Sequence, residues 1–331
     1  MESLIDSPPI RFENRFAELY GASYAVSTAS GTSAYLAALL ALDLPKGCEV
    51  IVPVYTWPQL AAAPRALGLK VRFVDCQPDC DIAPEAIRAA VSKRTGAIVI
   101  CHLFGRPVDS RGISRVAAEY GIPLLEDCSQ ALFARQLGRY VGNWGVVGFS
   151  SLGCGKLLSS GEGGVAWTCD SRLYRRLVEF TQHPDRWKDE RRTCNTLWNS
   201  LSLRMHPHAA ELALRDLRGI SERIERLCIN HERFRVLIRE VRGIEPLKAR
   251  ADSAPVWQHC PLQVEPDLAV KLMRFWWDKQ PAYLMSGRRQ FRTGMMIEKT
   301  LRFIRTGRIW ADVRSTDVER LASDLRTAAE Q

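Results

Sequence analysis

The sequence predicts an α/β protein: a doubly wound, mainly parallel sheet in one large domain, followed by a smaller C-terminal domain. Three observations carry this. Short apolar strands and amphipathic helices alternate from residue 11 to residue 127 without an internal repeat. The stretch Ala97 to Leu103 is almost continuously apolar, as strands covered on both faces are. At 331 residues the chain exceeds one average domain, and its 46% hydrophobic content can fill a large core.

Taken in order, Phe12, Phe16 and Leu19 share one face of a helix over 11–20. Tyr24 to Ser27 reads as a strand, leading through Thr28-Ala29-Ser30-Gly31-Thr32-Ser33 into a helix from Ala34 to Leu42. Such a hydroxyl-rich turn at a helix start is either an anion site or a plain N-cap. Glu49 to Pro53 is the next strand, with the aromatic Trp57 just beyond it, placed to stack on a planar ligand or to cap the core. A helix over 59–67, a strand from Lys70 to Val74 and a helix from Pro84 to Val91 follow. After the strand Ala97–Leu103 comes a helix over 110–119. The strand from Ile122 then ends on two adjacent acids, Glu126 and Asp127, at the edge where parallel sheets bind ligands. One carboxylate there could hold a protonated ring nitrogen while the other points away. Gly164 to Thr168 reads as a strand, 171–180 as a helix and 181–200 as a loop. A long helical pattern runs from Pro207 to about Glu240. The domain division is therefore 1–206, a connecting helix 207–243, and 244–331, ending in an amphipathic helix from Thr316 to Ala329.

The net charge of +9 is uneven. Residues 1–170 carry 15 Lys and Arg against 16 Asp and Glu, whereas residues 171–331 carry 31 against 21. The basic half lacks a zinc, helix-turn-helix or aromatic–basic signature, which points away from nucleic acid and leaves an anionic substrate or a solvated face. No apolar run is long enough to span a membrane. The acidic start, Met-Glu-Ser-Leu-Ile-Asp, does not resemble a signal peptide. Ten scattered cysteines without a Cys-x-x-Cys fit a reducing cytoplasm, and no metal set is spaced for binding.

The chemistry concentrates in Phe149 to Gly164, where Lys156 stands among small residues, hydroxyls and glycines. A desolvated amine loses its proton readily and can attack an aldehyde. The alternatives are a buried structural lysine or a phosphate-loop lysine. The latter fails its spacing, because Leu157 follows the lysine and Ser150 replaces the first glycine.

Together, Ser30-Gly31-Thr32, Pro53 with Thr56-Trp57, Glu126-Asp127-Cys128-Ser129-Gln130-Ala131, and Lys156 followed by Ser160-Gly161-Glu162-Gly163-Gly164 resemble the DegT/DnrJ/EryC1/StrS family of pyridoxal-phosphate-dependent aminotransferases over residues 12–215. The resemblance implies fold type I and a homodimer with shared active sites. Lys156 would form the Schiff base with pyridoxal 5'-phosphate and shuttle a proton, and Asp127 would pair with the ring nitrogen. Gln130 would lie near the phenolic oxygen, and Trp57 would stack on the ring. Gly31, Thr32 and Ser151 would hold the phosphate, with Ser150 as the alternative to Ser151. Arg204 would reach across the dimer.

The chain departs from the family pattern in three places. Phe12-Glu13 stands almost at the start, where some tens of residues usually precede it. Ser202 replaces the asparagine of Asn-x-Arg-Met. The C-terminal part matches no family ending. The leading expectation is amino transfer from glutamate or glutamine to a keto-sugar or ketocyclitol. Elimination on a sugar is a second reading, opposed by a lysine where such relatives carry histidine. An inactive, shortened partner subunit is a third.

Overall fold

The computed structural model describes residues 7–182 and 200–265, with short pieces at 268, 284–286, 308–311, 319, 322–323 and 325–327. The predicted loop 181–200 and the C-terminal helix from Thr316 to Ala329 lie largely outside these residues.

Helix α1 (Pro8–Tyr20) begins on prolines whose fixed φ suits a first turn, and it ends where Gly21 takes a left-handed φ of 66°. Phe12, Phe16 and Tyr20 are its fully buried residues, so Tyr20 rather than Leu19 completes the apolar face. Alternating strands and helices follow: β1 (Tyr24–Thr28), α2 (Gly31–Ala41), β2 (Glu49–Pro53), α3 (Gln59–Ala66), β3 (Lys70–Val74), α4 (Pro84–Ala90), β4 (Thr95–Cys101), α5 (Ser110–Glu119) and β5 (Leu124–Asp127). A small hairpin, β6 (Arg135–Gln136) and β7 (Arg139–Tyr140), precedes β8 (Val147–Ser151), β9 (Gly164–Thr168) and α6 (Ser171–Thr181). The helical pattern from residue 207 proves to be two helices, α7 (Pro207–Arg218) and α8 (Ile220–Leu237), interrupted at Gly219, a poor helix former inside the run. Short strands follow: β10 (Ile244–Pro246), β11 (Ser253–Ala254), β12 (Cys260–Val264), β13 (Leu284–Ser286) and β14 (Arg308–Ala311).

The main sheet has seven strands in the order β1-β9-β8-β5-β4-β2-β3. The β2–β3, β2–β4, β4–β5 and β5–β8 pairs are parallel, whereas β9 runs antiparallel to both β8 and β1. All strands but β9 therefore point the same way, and their carboxyl ends form one edge.

Side chains alternate across a strand, and the two faces are covered accordingly. Val50, Val52 and Val99 pack with α2 and α6, while Ile51, Ile98 and Ile100 pack with α4 and α5. Each such fully buried aliphatic side chain stabilises the fold by roughly 1.5–3 kcal/mol. A third cluster joins α1 and α7 to β9 through Phe12, Phe16, Tyr20 and Trp167. Two smaller sheets, β10-β12-β14-β13 and β11-β6-β7, complete the described architecture.

Candidate functional site

Every site residue suggested by the sequence lies at or just past a strand end on that carboxyl edge or, for Arg204, against it. Gly31 and Thr32 follow β1, Trp57 follows β2, Asp127 and Gln130 end and follow β5, and Ser151 and Lys156 end and follow β8.

The acidic pair separates as alternation requires. Glu126 is fully buried, on the face of β5 opposite to Asp127. Its Oε1 accepts from the N–H groups of Trp144 (2.7 Å) and Gly145 (2.6 Å), and its Oε2 accepts from Gly142 N–H (2.9 Å). His102 Nε2 lies 3.0 Å from Oε2, and His102 Nδ1 accepts from Val108 N–H at 3.2 Å. Because Nδ1 is an acceptor, Nε2 carries the proton and donates to Glu126. Four donors thus fix Glu126, and with it the end of β5. Asp127 is 5% exposed. Its Oδ1 accepts from Ser129 N–H at 2.9 Å, and the Cys101 thiol donates to its Oδ2 at 3.7 Å. Burial, aided by the Asp127 charge and opposed by Lys156, raises the Cys101 thiol well above its usual range and keeps it a donor. Burial, again with Asp127, raises Tyr35 in the same way. Beside Asp127, Gln130 accepts from Phe104 N–H at 2.8 Å through Oε1.

Lys156 stands on the loop between β8 and β9. The loop base is closed by Leu152 N–H to Gly163 O and Ser160 N–H to Leu152 O, both 2.8 Å. Leu157 and Leu158 anchor it in the core at 2% and 0% exposure. Gly155 and Gly161 take φ values of 81° and 79°, where an L side chain would be strained. Lys156 itself is half-buried.

The start of α2 meets this loop closely. A Cβ on Gly31 would stand 2.7 Å from Ser151 Cβ, and one on Gly164 would stand 2.3 Å from Ser30 O. Only glycine permits this approach at either position. Ser30 caps α2 by accepting from Ser33 N–H at 3.0 Å, so the predicted turn is the first turn of the helix. The N–H groups of Gly31 and Thr32 precede any in-helix acceptor and face out of the helix end with the positive end of its dipole. Ser150 is fully buried and donates to Ser151 O, whereas Ser151 is partly exposed beside Gly31. The geometry therefore favours Ser151 over Ser150 as an anion contact. Trp57 presents a ring that is 46% exposed. Arg204 reaches the same edge because its backbone bridges Thr28, and Leu203 O accepts from Ala29 N–H at 2.7 Å. Its guanidinium is exposed and donates to Ser202 Oγ at 3.1 Å, with Ser202 at a φ of 53°.

Sequence reasoning missed Cys101, His102, and Ser129, whose Oγ accepts from Ser151 N–H at 3.0 Å. The strand-end rule that found Asp127 would have found Cys101 and His102, which end and follow β4.

A family model described as the DegT/DnrJ/EryC1/StrS aminotransferase family matches residues 9–279. The chain belongs to that family. Within it, a stretch of 175 residues is 41% identical to the L-glutamine:2-deoxy-scyllo-inosose aminotransferase of Streptomyces fradiae, covering 52% of this chain and 41% of that protein. A longer match, 31% identical over 236 residues, is to the 3-amino-5-hydroxybenzoate synthase of Amycolatopsis mediterranei, covering 71% of this chain and 60% of that one. The matched stretches thus span about half the length of these family members. The crystal structure of an aminotransferase from Streptoalloteichus hindustanus superposes with a TM-score of 0.86 at 21% identity, over 98% of this chain and 91% of that one. The fold is therefore that of the family's aminotransferases.

Proposed function

We propose that the chain is a pyridoxal-phosphate-dependent aminotransferase moving an amino group from glutamine or glutamate to a keto-sugar or ketocyclitol, as a homodimer. The observation that carries this reading is the meeting of Lys156, Asp127, Gln130, Trp57 and the α2 N-terminus on one sheet edge. The printed activity of the S. fradiae relative supports the donor and the cyclitol class.

The edge fits the cofactor on three counts. Glycines at 31 and 164 bring the free α2 amides and Ser151 together, a cradle for a phosphate dianion that a single Cβ would fill. Asp127 offers a buried carboxylate oriented by Ser129, suited to holding a pyridine nitrogen protonated. Trp57 offers an exposed ring face. When bound, the cofactor supplies a carbon that carries the amino group between substrates and a ring that accepts electron density.

This chain's residues divide the remaining work. Lys156 Nζ, as a neutral amine, would hold the cofactor's aldehyde carbon and would move a proton between the donor's α-carbon and the acceptor's former keto carbon. Asp127 holds its proton partner in place throughout. Gln130 orients the ring edge, and Arg204 serves a neighbouring subunit's site. The free cysteines among the described residues fit a reducing cytoplasm, and no described helix is long and apolar enough to cross a membrane.

The test is absorption of the purified protein with added pyridoxal phosphate. A visible band that borohydride bleaches and Lys156→Ala removes supports the reading. A protein that never acquires the band sinks it and favours an inactive partner subunit.

A further inference from the structure

The loop carrying Lys156 is gripped from one side by two helices that no site motif includes. Asp216 lies in the last turn of α7 and Arg223 in the first turns of α8. In one continuous helix residues seven apart would stand about 10 Å apart along the axis. Across the interruption at Gly219 they form a two-pronged ion pair, with Arg223 Nη1 and Nη2 each 2.6 Å from a different Asp216 oxygen. Both reach the loop. Arg223 Nη1 donates to Leu157 O at 2.6 Å, and Asp216 Oδ2 accepts from Ser159 N–H at 2.8 Å. The backbone is therefore held one and three residues beyond Lys156, on either side of the fully buried Leu158.

Local preference does not account for either charge. An acid at a helix C-terminus and a cation near a helix N-terminus both oppose the helix dipole. Each residue stands at the disfavoured end of its helix, and what each gains there is the loop. The pair is also sheltered, with side-chain exposures of 29% and 22%, so it is not an ordinary solvated surface bridge.

We infer that Asp216 and Arg223 are positioning residues that hold the Lys156 loop against the α7–α8 corner and thereby set where the lysine amine stands. This rests on reading Lys156 as the reactive amine, but its test does not require cofactor. In the cofactor-free protein, hydrogen exchange of the 156–160 segment and acylation of Lys156 across pH are followed by peptide mass spectrometry. Both are measured in wild type, Arg223→Leu, Asp216→Asn and Arg223→Lys. Exchange at Ser159 should quicken about tenfold or more in the first two variants, with β5 amides unchanged. The pH midpoint of Lys156 acylation should shift by about half a unit, and Arg223→Lys should recover part of both effects.

Unchanged exchange would show that the pair does not hold the loop. Faster exchange with an unchanged acylation profile would show that it holds the loop but not the lysine. Either result overturns the inference. If Arg223→Leu fails to fold, Asp216→Asn and Arg223→Lys decide it. A protein that never binds pyridoxal phosphate fails the proposed function while leaving this reading to be judged on its own.

Discussion

Asp127 and Lys156 meet at one sheet edge, yet they stand on different kinds of backbone. Asp127 closes a central strand, paired in register with Cys101 on one side and Phe149 on the other. Its neighbour Glu126 is tied by three amides and an imidazole. Lys156 stands on a glycine-rich loop, closed at its base and held at its flank by Asp216 and Arg223. The contrast matches the roles proposed for the two groups. A carboxylate that keeps a ring nitrogen protonated works by standing still, and preorganised charge needs no rearrangement during reaction. An amine that attacks, leaves and carries protons needs a tether with some play.

The sharpest way to break this comparison is to remove each group in turn. Lys156→Ala should lower turnover by at least about 10³-fold while leaving the circular dichroism spectrum unchanged, read by steady-state kinetics with a cyclitol ketone. A smaller loss would mean that another base serves. Asp127→Asn should keep the cofactor bound but slow turnover by about 10²–10³-fold, because a neutral amide does not hold the ring nitrogen's proton. Near-normal rates would remove Asp127 from the assignment.

Stability separates the two regions further. Glu126→Ala leaves three N–H groups and His102 without their buried acceptor, and denaturant unfolding should show a loss of about 3–5 kcal/mol. Truncating Arg223 should cost no more than about 1–2 kcal/mol, since its site is partly solvated. Equal losses would mean that the loop is as rigidly built as the strand.

A pH-dependent effect lies outside the site and serves as a reference. His231 stacks on Trp257 at 3.9 Å, and burial lowers its pKa to about 4. An unfolded histidine takes its proton near 6.5, so between those values the unfolded chain binds the extra proton and stability falls as pH falls. The total should be about 3 kcal/mol, and His231→Phe should flatten it. Asp81, whose burial pushes its carboxyl up to about 7, acts in the opposite direction, so the difference between wild type and variant is the quantity to measure.

Residues that announce themselves by type at a strand end were legible in the sequence. Trp57 and Asp127 stand at the strand ends where the sequence placed them, and Gly31 stands at the helix start. The strands from Glu49 to Pro53 and from Lys70 to Val74 appear at their predicted limits, since β-branched runs bounded by turn residues are strong signals. The choice between Ser150 and Ser151 was not legible, because burial and not residue type separates them. Strand β8 was hidden by its glycine and serines, which lack strand preference and are held there by pairing with β5 and β9. The interruption at Gly219 was masked by a helical pattern that continues on both sides. Asp216 and Arg223 carry no local signal at all, since their partner is a loop more than fifty residues earlier.

The single reversed strand has a consequence for how the chain assembles. Strand β1 has β9 as its sheet neighbour, which is made about 140 residues later, so the first strand stays unpaired until most of the sheet exists. Helix α2, whose first turn forms the proposed anion cradle, follows directly on β1, and Gly164 of β9 stands close against that turn. A contact of such high sequence separation closes late in folding. Refolding followed by two probes should therefore split, with helical signal returning first and the capacity to take up a phosphate dianion returning last. Ligand competence in this chain marks the end of folding, because the site is sewn from its first strand and one of its last.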